Sequence, residues 1–159
     1  HIVNYKADFH SPTWSDIANW SCKVISFFDL AGHEKYLKTT ISGMTGYLPD
    51  YCFLLVGANM GITRMTREHL GLAIALRIPV VVVITKIDIA PKEILKSNTD
   101  AIVKLLKSGG VKKQPYFVKS KADVVTAIKG LANERFTPIF QVSNVKGDGL
   151  EFIRQFLNL

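Results

Sequence analysis

At 159 residues, with 48% apolar side chains and a formal net charge of +7, the chain has the size of one domain and can bury a sizeable core. It contains no apolar run approaching about 18 residues, so no membrane-spanning helix is expected. Its two cysteines, Cys22 and Cys52, form neither a disulfide framework nor a metal pattern, and both read as reduced, mostly buried thiols of a cytoplasmic protein. The positive balance favours acidic partners such as RNA, and a basic solvated surface explains it equally well.

In chain order, His1 to Tyr5 is strand-like, and Ser11-Pro12 opens a short helical stretch carrying Ile17 and Trp20. Lys23 to Asp29 is β-branched and aromatic and reads as a strand ending at an acid. Tyr51 to Gly57 is a second apolar run. Thr66 to Arg77 carries Leu70, Ala73, Ile74 and Arg77 at helical spacing. Pro79 to Thr85 is a third run, continuous in Val and Ile. Pro91 to Lys107 opens with proline at a plausible first-turn position, presents Ile94, Leu95, Ile102, Leu105 and Leu106, and stops before Gly109-Gly110. Ser120 caps a further helix presenting Val124, Ile128 and Leu131, with Asp123 where Glu or Gln is usual. Thr137 to Val142 is a fourth run, and Leu150 to Leu157 a closing helix. Strands apolar at every position, alternating with helices, predict an α/β domain with a parallel sheet covered on both faces.

Ligands of open parallel sheets sit beyond the carboxyl ends of the strands. Three such ends carry unusual polar residues: Asp29 to His33, Thr85 to Asp88, and Ser143 to Val145. Each has a task in a GTP site. Asp29 can hold magnesium through water, and Gly32 has no side chain, so its N–H can approach a terminal phosphate. That contact exists only while the phosphate is present, which makes the following segment a switch. Asp88 can accept two hydrogen bonds from the guanine ring N–H and exocyclic amine, a donor pair that adenine lacks. Lys86 can lay its stem over the ring, while Ser143 and the N–H groups of Asn144 and Val145 close over the base. Alone, DxxG reads as a strand-end turn; TKxD after a run of valines points to a site, and the three in this order reinforce one another.

These residues resemble the translational GTPases. Asp29 to Thr40 (DLAGHEKYLKTT) is similar to the DxPGH segment and switch helix of elongation factors Tu and one-alpha, and Thr66 to His69 matches their TREH. With TKID and QVSNVKG, the pattern looks closest to the eukaryotic GTP-binding-protein one/two branch, from about Lys23 to the end. The resemblance implies a P-loop NTPase-like fold that binds GTP or GDP with Mg2+ and hydrolyses GTP. Asp29 and Gly32 would serve magnesium and the γ-phosphate, and His33 would orient the attacking water, since phosphoryl transfer depends on positioning and charge stabilisation. Thr85, Lys86 and Asp88 would read guanine, with Ser143, Asn144 and Val145 behind them. His69 reads as a helix-packing residue. The implied partners are the ribosome, transfer RNA or RNA-decay machinery in the cytoplasm, without a membrane, and β-barrel domains would follow in the parent chain. Ala31 replaces the usual Pro, Thr85 the usual Asn, and Asn144 the usual Ala.

Residues 1–159 contain no G-x-x-x-x-G-K-[ST] loop, whose backbone N–H groups and lysine would cradle the phosphates. The chain is therefore expected to be an N-terminally truncated, single GTP-binding domain lacking its first strand and phosphate loop, and to be weak or inactive by itself. The switch-one Ser or Thr has no convincing copy, because Thr13 falls in the short helix. Lys92 to Lys129 holds nine lysines against Glu93, Asp100 and Asp123, which fits RNA or a solvated helix face equally. A different reading is a non-hydrolysing scaffold that keeps the fold without the nucleotide. A third, an unrelated flavin or nucleotide binder, fails to explain TKID and SNV together.

Overall fold

The computed structural model describes residues 13–133 and 136–159, so the strand-like His1 to Tyr5 lies outside the described residues. Helix α1 (Trp14–Trp20) starts at a capping box in which the Thr13 hydroxyl and the Asp16 carboxylate bond each other's backbone N–H. Thr13 is thus the cap rather than a residue of the helix. No side chain of α1 is buried, and Trp14 and Trp20 are 79% and 65% exposed.

Lys23 to Asp29, strand-like in composition, is not a strand. It forms neither helix nor strand, it is exposed, and no described strand pairs with it. Extended backbone becomes a strand only when a neighbour takes its N–H and C=O groups. Side-chain packing holds this stretch instead. Phe28 stacks on Tyr47 of α2 (Leu37–Tyr47) with ring centroids 4.2 Å apart. Leu30 lies under the same helix, where a Cβ on Gly43 would come within 2.7 Å of its Cδ2.

Four parallel strands follow: β1 (Cys52–Gly57), β2 (Val80–Thr85), β3 (Gln114–Phe117) and β4 (Phe136–Gln141), in sheet order β1-β2-β4-β3. Their register sets Leu54 beside Val82, Val83 beside Phe140, and Phe117 beside Ile139. Val80 to Ile84 are all buried, as a central strand covered on both faces requires. Sequence periodicity does not reveal β3, which is four residues long and contains Pro115, a residue tolerated in sheets at edges such as this one.

Helices α3 (Arg64–Ala75) and α4 (Lys92–Lys107) cover one face, packing on Leu54, Val56, Val82, Ile84 and Ile139. Helices α5 (Lys121–Ala132) and α6 (Leu150–Asn158) cover the other, on Val81, Val83, Phe140 and Val142. The Ser120 hydroxyl caps α5 by accepting from the Asp123 N–H at 3.3 Å. The Asp123 carboxylate accepts instead from the Lys119 N–H at 3.0 Å and the Tyr116 hydroxyl at 3.1 Å, so the cap ties α5 to β3.

One polar clamp crosses the first face. The Asn98 side-chain amide on α4 donates to the carbonyl of fully buried Ala58, just after β1, at 2.8 Å. The amide lies against Gly61, whose φ of +68° suits glycine and where a Cβ would approach Asn98 Cγ to 2.7 Å. Both cysteines are free thiols. Cys52 is half-buried, and desolvation pushes its pKa up, whereas Cys22 is exposed because it lies just after α1 rather than in the core.

Candidate functional site

The carboxyl ends of β2 and β4 bring two of the three motifs together. The Val142 N–H donates to Ile84 at 2.8 Å and the Ile87 N–H donates back to Val142 at 3.4 Å, so the two strand-end turns are laced by backbone. Lys86, at the top of β2, has φ of 61°, a left-handed conformation costing a side-chain-bearing residue about 1–2 kcal/mol. Strain of this kind persists where surrounding structure over-determines it, often at functional turns. Ile89 closes the turn by donating to the Lys86 carbonyl at 3.3 Å, leaving the Lys86 side chain exposed and Asp88 half-buried.

Ser143 is fully buried. Its hydroxyl accepts from the Lys146 N–H at 3.1 Å, its N–H donates to the Asp148 carbonyl at 3.0 Å, and its carbonyl accepts from Gly147 at 2.9 Å. Gly147 and Gly149 both have positive φ, and a Cβ on Gly149 would collide with the Gln141 carbonyl, so this tight turn needs glycine there. Asn144 and Val145 project from it, Val145 being 86% exposed. The Ser143 hydroxyl is the main cause holding the Asp88 carboxyl below its ordinary pKa; partial desolvation opposes it, and the Lys146 charge adds to it. The half-buried Asp88 carboxylate can accept two hydrogen bonds at the mouth between β2 and β4. Lys146 is a contributor that motif reading did not single out; its place inside QVSNVKG was the one signal for it.

The third motif stands apart. Among the described residues, no hydrogen bond or ion pair joins the Asp29–His33 turn to the other two. Its anchor is Thr40 of α2, 3% exposed, whose hydroxyl donates to the Ala31 carbonyl at 2.7 Å. Asp29, Gly32 and His33 are exposed, and no atom lies within 4 Å of a Cβ placed on Gly32, so its backbone is open to approach. His33 caps a 3-10 turn over Glu34–Tyr36, its Nδ1 accepting from the Lys35 N–H at 3.1 Å. In the neutral ring that bond places the proton on Nε2. The turn is also tethered by an exposed ion pair, Arg64 of α3 to Glu34, at 3.3 Å. His69 of the TREH segment packs against the fold, and its Nε2 is buried without a hydrogen-bond partner.

No group of three or more His, Cys, Asp or Glu among the described residues could by itself hold a metal ion. A lone hard carboxylate such as Asp29 suits magnesium, which takes one or two carboxylates and fills its octahedron with water and substrate phosphate.

Comparison with known proteins shows the family and the fold. The chain is 53% identical over 160 residues to GTP-binding protein 1 of Xenopus laevis and 45% identical over 159 residues to GTP-binding protein 2 of Homo sapiens, in each case across 99% of its own length. It spans about a quarter of those relatives, 24% and 26%. Its fold is similar to that of translation elongation factor SelB from Methanococcus maripaludis, with a TM-score of 0.57 at 21% identity over 82% of this chain and 24% of that one. The family profile described as the elongation factor Tu GTP binding domain matches residues 5–159. The chain belongs to that family: it is a GTP-binding domain of the translational GTPase type.

Proposed function

We propose that the laced turns of β2 and β4 read guanine, with Thr85, Lys86 and Asp88 on one side and Ser143, Asn144 and Val145 on the other. The reading rests on one observation above all: backbone hydrogen bonds lace the turn carrying Lys86 and Asp88 to the turn carrying Ser143 at the carboxyl ends of the central strands, with Lys86 held at a φ of 61°. Asp29 would hold magnesium through water, and the open N–H of Gly32 would meet the γ-phosphate. Bound magnesium would neutralise charge on the phosphate oxygens. His33, with its proton on Nε2, would donate to the attacking water and orient it rather than deprotonate it. The domain would then hydrolyse GTP and act as a switch on RNA or the translation machinery in the cytoplasm.

The test is a calorimetric titration of the chain and of Asp88→Asn with GTP, GDP, ATP and XTP in magnesium buffer. Two charge-assisted hydrogen bonds, each contributing about 1.5–3 kcal/mol, set an expected loss of GTP affinity of about a hundredfold or more in Asp88→Asn, with preference moving to XTP. Equal binding of ATP and GTP, or unchanged GTP affinity in the variant, would remove Asp88 from the guanine site. Absence of any nucleotide binding at millimolar concentration would fit a GTP-binding domain lacking its phosphate loop as well as the non-hydrolysing scaffold.

A further inference from the structure

A cleft of about 310 Å³ opens between α4 and the carboxyl ends of β3 and β4, on the far side of β4 from β2. Leu95 and Phe117 supply apolar wall, and Lys92, Lys96 and Lys119 supply the charge. Asp100 is the one acid on this lining. Thr99 and Gln141 add a polar side, their side chains 3.5 Å apart. Among the described residues none of the three lysines forms an ion pair, and Lys119 Nζ lies 6.0 Å from the Phe117 ring centroid.

Lysines often blunt a sheet edge against unwanted pairing. That role does not account for these three. The edge strand β3 itself carries no lysine, and the cations come from α4 and from the segment after β3 to border a concavity. Nor does a small anion use the whole feature. Lys92 and Lys96 sit one helical turn apart on α4 and Lys119 faces them from the segment after β3, so the cations border the cleft from two elements rather than converge on one point. Three cations spread around the cleft can each meet a successive phosphate of an extended strand, and its partly apolar wall of Leu95 and Phe117 suits a ribose or base between them.

We infer that this α4–β3 cleft and its three lysines bind single-stranded RNA through the phosphodiester backbone. The site is separate from the guanine turns and does not depend on nucleotide binding there. Binding of this type is independent of base sequence and weakens with salt.

The experiment is fluorescence anisotropy of a labelled oligouridylate of about twelve nucleotides titrated with the chain over a range of salt. Three forms are compared with the parent: Lys92→Glu/Lys96→Glu/Lys119→Glu, the neutralising Lys92→Gln/Lys96→Gln/Lys119→Gln, and a control reversal of equal charge, Arg67→Glu/Lys129→Glu/Arg154→Glu. Circular dichroism verifies that each is folded. The cleft reversal is expected to lose at least about tenfold more affinity than the control. It should also flatten the log–log salt dependence by about 2, near 0.7 for each phosphate of a single strand that the lysines no longer neutralise. The glutamine form is expected to lose affinity in the same direction by a smaller factor. Equal losses in cleft and control variants would overturn the site in favour of diffuse net charge. Absence of RNA binding by the parent would overturn it outright. Tripolyphosphate displacing the RNA at equal concentration would reduce the feature to a small-anion pocket. None of these results bears on the Asp88 titration, so the two readings fail separately.

Discussion

The Asn98–Gly61 clamp makes a quantitative prediction. Asn98→Ala removes a 2.8 Å bond to the carbonyl of a residue with no exposed surface, and leaving a buried acceptor unpaired costs about 1–3 kcal/mol. Gly61→Ala forces an alanine to φ of +68°, costing about 1–2 kcal/mol, and crowds the Asn98 amide, where overpacking adds about 1–3 kcal/mol. The two costs are not independent, because the crowding disappears once Asn98 is truncated. Taking about 2 kcal/mol for the lost bond, about 1.5 for the backbone and about 2 for the crowding, the singles sum to about 5.5 kcal/mol and the double variant costs about 3.5. Urea denaturation followed by far-ultraviolet circular dichroism, for the parent and three variants, completes the cycle. A coupling near 2 kcal/mol is expected, within the range for residues in contact. Additivity to within about 0.5 kcal/mol would refute the clamp, because that is how distant sites behave.

Two further outcomes are expected. Leu48 ends α2 at φ of 45° with 79% of its surface exposed, so Leu48→Gly should stabilise the chain by about 0.5–1 kcal/mol in the same denaturation assay, relief of left-handed strain exceeding the added freedom of the unfolded glycine. In a carboxyl NMR titration, Asp88 should titrate below its ordinary value and Ser143→Ala should raise it. Because the folded pKa is the depressed one, this contribution to stability is present above the unfolded value of about 3.9 and is lost as pH falls through the folded value, and Ser143→Ala should reduce it.

What the sequence disclosed depended on whether a property belongs to a segment or to its neighbours. The run Val80 to Ile84 was legible because every residue is buried, so composition alone marks a covered strand. Lys23 to Asp29 has equal strand character in composition, yet pairing is supplied by a neighbour, and no described strand supplies it. Strand β3 hid behind Pro115 and its own brevity, and its presence is what creates the cleft beside α4. Thr85 to Asp88 and Ser143 to Val145 could be found because their chemistry is written in contiguous residues. Their lacing through Ile84, Ile87 and Val142, and the Lys146 charge behind Asp88, are products of the turns and have no linear signature. The Asp29–His33 turn was equally readable, but its tether to Arg64 was not, since that pair joins the turn to a helix beyond the next strand.

The exposure of α1 among the described residues determines what light will report from this molecule. Both tryptophans of the chain lie on that short helix, largely in water, with no side chain of the helix in the core. Their emission should already be red-shifted in the folded protein and should change little when the sheet melts. Intrinsic tryptophan fluorescence would therefore follow the local order of Trp14–Trp20, and a small or early transition in that signal would describe α1 alone. A tryptophan introduced at Phe140, in the packed face between β4 and α6, would instead place the chromophore where cooperative loss of the core alters its emission.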